Sequence, residues 1–176
     1  EYLMEREIKR SLNIGQDQIE DILDIKYGDG RIKPLFCEML HRSSSTSDQV
    51  DHIWPKATLM SKKALRKAFP TATDMDIAMF QSRCNGLANL QLLDQVLNQG
   101  KSDTEFSIWL NAFFIDPEEK QNYIQTHFIP QNISYNFSNF IQFFDERYKL
   151  LSEQIKNAFP SDFNTIVARY SLQNKI

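Results

Sequence analysis

Residues 50 to 56 read Val-Asp-His-Ile-Trp-Pro-Lys, and residues 89 to 103 read Asn-Leu-Gln-Leu-Leu-Asp-Gln-Val-Leu-Asn-Gln-Gly-Lys-Ser-Asp. The first stretch carries an Asp-His pair that Pro55 soon interrupts, which suits the end of a strand. The second begins with a strand-like run from Asn89 to Leu93 and then meets Asp94, whose carboxylate can accept free amides at a helix start. Strand, strand and helix are therefore expected from these two stretches.

The remainder is poor in glycine and proline, and its apolar residues recur at spacings of three and four, so the chain reads as mainly α. Helices are expected over residues 2 to 13 and 16 to 26, the second presenting Ile19, Ile22, Leu23 and Tyr27 on one stripe before Gly28-Asp29-Gly30 ends it. A third is expected near 31 to 42, followed by a polar connector from Ser43 to Ser47. After Pro55, Ser61 to Phe69 fits a basic helix and Asp74 to Cys84 another, with Thr73 placed to cap it. Ser102-Asp-Thr-Glu105 has the form of a capping box ahead of a helix through Phe113. Asp116-Pro117-Glu118-Glu119 offers a cap, a pre-set φ and two carboxylates to a helix that should end near His127. The longest pattern puts Phe137, Phe140, Ile141, Phe144, Tyr148, Leu151, Ile155 and Phe159 on one face, with Pro160 as its stop. That stripe is expected to be core. One domain over 1 to 176 follows: N-terminal helices (1 to 47), a strand-strand-helix core with a helical insertion (48 to 105), and C-terminal helices (106 to 176) clamped around it.

Composition narrows the class. Cys37 and Cys84 form no CxxC pair, so neither a disulfide framework nor a zinc knuckle is indicated, and a reducing cytoplasm is the simplest setting. No apolar run is long enough to cross a bilayer. The sequons at Asn132 and Asn136 matter only in a secreted protein. The chain opens on Glu-Tyr-Leu-Met-Glu-Arg-Glu, like the inside of an amphipathic helix, so it is expected to be a piece of a longer protein. A net charge of −3 counts against a dedicated nucleic-acid binder. Its distribution argues the other way: no acidic residue lies between His52 and Thr73, where Lys56, Lys62, Lys63, Arg66 and Lys67 cluster. Such a local field can hold a phosphate backbone.

The two stretches also contain the groups that hydrolysis of a phosphodiester requires. A base must deprotonate water, and a cation must stabilise the crowded phosphorane and the departing oxygen. A neutral imidazole suits the first task near pH 7, which assigns it to His52. A magnesium-class cation takes oxygen ligands and keeps several waters, so Asp51 and the Asn98 carbonyl are a sufficient protein share. Asn89 would hold the loop carrying His52 in register, and Lys101, on the same helical face as Asn98, would reach a phosphate. Adjacent strand residues point to opposite faces, so the strand must end, twist or bulge at Asp51-His52 if both are to address one phosphate. His41 and His127 lack such company and are read as structural, and Asp94 as a cap.

Asp51-His52-Ile53-x-Pro55, then Asn89, then Asn98-x-Gly100-Lys101-Ser102-Asp103, resembles the HNH, or His-Me finger, nuclease motif with asparagine in its last position, as in RNA-guided CRISPR nucleases. The resemblance implies a ββα-metal fold around one divalent cation, Mg²⁺ or Mn²⁺, with Asp51 and Asn98 on the metal, His52 as base and Asn89 as the orienting amide. The gap between His52 and Asn89 exceeds that of a minimal finger and must accommodate an inserted helical pair. Asn85-Gly-Leu-Ala-Asn-Leu-Gln-Leu-Leu93 and Phe128-Ile129-Pro130 are similar to the C-terminal nuclease domains of restriction proteins of the GmrSD and SspE type, which have glycine where Ala88 stands. This second resemblance implies a bacterial anti-phage role, DNA as substrate, and a ParB-like nucleotide-hydrolysing domain as partner within the same parent chain. The acidic net charge and single carboxylate support a competing class, a non-enzymatic DNA-binding or regulatory module. RNA as the polymer remains a third.

Overall fold

The computed structural model describes residues 15–159. The helix expected over 2 to 13 and the stop at Pro160 lie outside them. Among the described residues the fold is mainly helical, with one two-stranded antiparallel sheet. Helices α1 (Gln16–Leu23) and α2 (Ile32–Met39) precede strand β1 (Gln49–His52). Between β1 and β2 (Leu90–Leu93) lie α3 (Lys56–Leu59), α4 (Lys62–Ala68), α5 (Asp74–Arg83) and a 3-10 turn at Leu87–Asn89. Then come α6 (Gln95–Lys101), α7 (Phe106–Phe113), α8 (Pro117–Thr126), a 3-10 turn at Phe137–Asn139 and α9 (Phe140–Ala158).

Local chemistry starts most of these helices. The Asp94 carboxylate accepts from the amides of Val96 and Leu97 at 2.8 and 2.9 Å, and Asp116 accepts from Glu118 at 2.8 Å with Pro117 in the first helical position. Thr73 and Asp76 exchange the two bonds of a capping box ahead of α5, and Ser61 caps α4. The box expected at Ser102 to Glu105 does not form. Ser102, at φ 46°, turns the chain out of α6, and α7 begins after Glu105 with no side-chain cap. Helix α1 also stops at Leu23, short of the expected 26. Ile25 is drawn into the core, Lys26 bridges Gly86, and the Tyr27 amide donates to the Asn85 carbonyl at 2.8 Å.

Among the described residues two apolar clusters make the core. One joins Ile19, Leu23, Ile32, Phe36 and Met39 to Leu90 and Leu92 of β2 and to Leu151 and Ile155 of α9. The other gathers Trp54, Phe80, Phe106, Trp109 and Leu93 around Phe140 and Phe143. Helix α9 thus spans both, and each fully buried side chain of this size stabilises the fold by about 1.5–3 kcal/mol. The stripe expected on α9 is rotated, because Phe143 and Arg147 are the residues fully buried at its middle, whereas Phe144 and Tyr148 are only partly covered. Gly86 is needed where the turn before β2 passes under α9: a Cβ there would come 2.8 Å from Cζ of Phe144 and 3.3 Å from the Arg83 carbonyl. No helix of the described residues is long and apolar enough to cross a membrane.

Candidate functional site

The ladder brings the two stretches of sequence together. Gln49 lies opposite Leu93, Val50 opposite Leu92, Asp51 opposite Gln91 and His52 opposite Leu90. The strand ends at His52, yet Asp51 and His52 both stay paired, in its last two rungs. They keep the alternation of an extended chain. Gln49 and Asp51 meet α6, Gln49 by accepting from the Asn98 amide and Asp51 through an ion pair with Lys101 at 3.0 Å. His52 turns instead to Asn85 and Tyr27. The carboxylate and Asn98 are therefore on one side of β1, and the imidazole is on the other.

His52 is buried, with Nε2 3.0 Å from Oδ1 of Asn85 and its ring 4.5 Å, centroid to centroid, from the Tyr27 ring. Burial lowers the imidazole pKa below its usual 6.5, the Asn85 contact opposes this, and Asp51 and Lys56 pull in opposite directions. The ring is neutral at pH 7. The side-chain Oδ1 of Asn85 can only accept, so this contact favours the tautomer with the proton on Nε2 and the lone pair on Nδ1. Asn85 is a residue that the sequence reading did not assign. Its only local signal is the Asn-Gly pair after α5.

Asn89 is fully buried and uses its whole amide. Its Oδ1 accepts from the Trp54 amide at 2.9 Å, while Nδ2 donates to the carbonyls of Trp54 at 3.2 Å and Cys84 at 2.8 Å. The backbone just beyond His52 is thereby fixed to the end of α5, a positioning role exerted on the chain and not on the imidazole. Asn89→Ala should leave three buried backbone groups unpaired at about 1–3 kcal/mol each. A fall of roughly 3 kcal/mol or more in unfolding free energy is expected from urea titration, and an unchanged midpoint would show the clamp to be dispensable.

Lys56, Lys62, Lys63, Arg66 and Lys67 are all exposed, as a phosphate-binding flank requires, although Arg66 also pairs with Asp74 at 2.8 Å. The Lys56 ammonium lies 5.3 Å from the centroid of the Tyr27 ring, beside His52. Lys101 departs from expectation. It is fully buried, held by the Asp51 carboxylate and by the His52 carbonyl at 2.6 Å, and presents no open cation to a phosphate. Gln91, also fully buried, donates to Oδ2 of Asp51 at 3.0 Å and accepts from the Tyr123 hydroxyl, so a polar network continues under the sheet. Burial pulls the pKa of His127, which closes α8, down to about 3, so its imidazole does not serve as a cation for the helix dipole. The Arg147 guanidinium binds the His127 carbonyl in its place, at 3.1 Å.

Among the described residues no group of three or more His, Cys, Asp and Glu side chains is placed to hold a metal. One carboxylate and one amide carbonyl fall outside such a set, and they are hard oxygen donors of the kind magnesium takes. Both contacts of the Asp51 carboxylate fall on Oδ2, and Asn98 uses its Nδ2 on Gln49, so among the described residues nothing donates to Oδ1 of either. The donor chemistry fits a weakly bound hard cation. Beside β1 runs an open groove of about 590 Å³ whose lining includes Tyr27, Asp29, Lys33, Gln49, Val50 and Asn98 but neither Asp51 nor His52. Tyr27 comes from the imidazole side of the strand and Asn98 from the carboxylate side. No protein-family model matches the chain, and no curated protein does.

Proposed function

We propose that the protein is a divalent-metal-dependent DNA endonuclease of the HNH kind, built on β1, β2 and α6. The observation that carries this reading is the groove beside β1, because Tyr27, packed on His52, and Asn98 both line it. Asp51 and His52 do not themselves line the groove and face opposite sides of β1, so on this reading β1 must twist when a phosphodiester binds if both are to address it. Nδ1 of His52 takes the proton of the attacking water, with Asn85 holding the ring through Nε2. Asp51 and Asn98 would hold the cation through their Oδ1 atoms, and a cation there stabilises charge on the phosphate and the departing oxygen. The exposed cations of α3 and α4, from Lys56 to Lys67, form a flank that would receive the backbone. The bacterial anti-phage setting and the ParB-like partner domain rest on the sequence resemblance alone.

Supercoiled plasmid and RNA, each incubated with Mg²⁺, Mn²⁺ or EDTA, test this directly. Nicked or linear DNA with either ion and none with EDTA is expected. Binding without cleavage under every condition would instead favour a DNA-binding module, a reading that the Lys101–Asp51 ion pair supports. Cleavage of RNA alone would change the polymer but keep the chemistry.

A further inference from the structure

We propose that the Lys101 ammonium is a resident counter-ion that keeps Asp51 from binding a divalent cation until an anionic nucleic-acid backbone enters. This rests on the reading of Asp51 as a cation ligand. The geometry is unusual for a lysine. An ion pair on a surface leaves the ammonium hydrated and contributes little, whereas Lys101 is fully buried on the last turn of α6, where hydration must be replaced by protein groups. Two groups replace it: Oδ2 of Asp51 at 3.0 Å and the carbonyl of His52 at 2.6 Å. Lys101 thus bonds both residues of the Asp-His pair, one through its side chain and the other through its backbone.

The charge balance gives the consequence. Asp51 and Lys101 cancel, and the neighbouring Gln91, Tyr123 and Asn98 are neutral, so a divalent cation approaching Oδ1 meets no net negative charge. It also meets an ammonium held on the other oxygen of the same carboxylate. Cation affinity in oxygen sites follows the number of ligand charges, so the protein alone binds such an ion poorly. A phosphate laid in the groove supplies the missing negative charge and makes cation binding and substrate binding mutually dependent, as linkage requires.

The test measures Mn²⁺ affinity by electron paramagnetic resonance on the full chain, without turnover. Lys101→Gln retains a donor for the His52 carbonyl and removes the charge, and it is expected to bind Mn²⁺ about tenfold or more tightly than wild type in the absence of DNA. Lys101→Arg should resemble wild type, and adding Asp51→Asn to Lys101→Gln should erase the gain. Equal affinities in folded wild type and Lys101→Gln overturn the proposal. If the glutamine variant does not fold, wild type decides: its Mn²⁺ affinity must rise about tenfold or more with a phosphorothioate duplex, and an affinity indifferent to the duplex overturns it. The plasmid assay separates the two readings. Metal-dependent cleavage without the Lys101 effect leaves the nuclease and removes the counter-ion, while the Lys101 effect without cleavage does the reverse.

Discussion

On the proposed nuclease reading, His52→Ala is expected to lower plasmid cleavage by about 10²–10⁴-fold, the range that a positioned general base contributes. The side chain is buried beneath Tyr27 and joined to Asn85, so alanine also leaves a small void and an unpaired amide. A second variant, His52→Gln, keeps more of the volume and a partner for Asn85, which separates chemistry from folding. Both variants should retain duplex DNA in a gel-shift assay, because the exposed lysines of α3 and α4 are untouched. Cleavage at the wild-type rate by either variant would remove His52 from the mechanism. The pH profile supplies an independent check. Burial places the imidazole pKa below 6.5, so the rate should rise with pH in the acid range and be level by neutrality. The stability effect has the same sign: the folded state disfavours protonated His52, so its contribution is present above the unfolded value of about 6.5 and declines as pH falls through it.

Arg147→Met should be the most destabilising single change in α9. The guanidinium is fully buried without a carboxylate partner among the described residues, and burial pulls its pKa down to about 9, which still leaves it charged at neutral pH. Its Nη1 donates to the carbonyls of Ala88 and Leu90 at 2.9 and 2.7 Å, and Nη2 to that of His127 at 3.1 Å. Methionine fills the space of the stem but orphans those carbonyls, which no compensating substitution can remove from the backbone. Leaving those carbonyls unpaired costs about 1–3 kcal/mol each, or roughly 10 °C or more in Tm for a chain of this size. Arg147→Lys should fall between the two, since a single ammonium cannot reach both sides of the fork. Thermal melts that place Arg147→Met at the wild-type Tm would mean that the carbonyls find other donors. Leu90 is the ladder partner of His52, so a loosened β2 should also lower cleavage in proportion to the folded fraction lost.

Much of the fold was legible in the chain because helix starts are local events. Asp94, Asp116 and Thr73 each cap amides two or three residues ahead, and no distant residue is needed for that. The end of β1 at His52 was equally legible from Pro55. Where distant segments competed, the local signal lost. Ser102 could not cap α7 while closing α6, and α1 ended early because Tyr27 found the Asn85 carbonyl.

The candidate site divides along the same line. Residue types and spacing, with the family resemblance, single out Asp51, His52, Asn89 and Asn98 as candidates for the proposed phosphodiester hydrolysis, since that chemistry needs few kinds of group. Tertiary packing alone decided how they are held. Lys101 and Arg147 look like solvated helix residues in a sequence, where long cations seldom enter a core. Both are fully buried, because each reaches carbonyl oxygens and, for Lys101, a carboxylate contributed from far along the chain. Asn85 acquires its place beside His52 by the same route, through a turn that Gly86 allows to pass beneath Phe144. A buried polar group is stable only where partners converge on it, and convergence is a property of the folded chain.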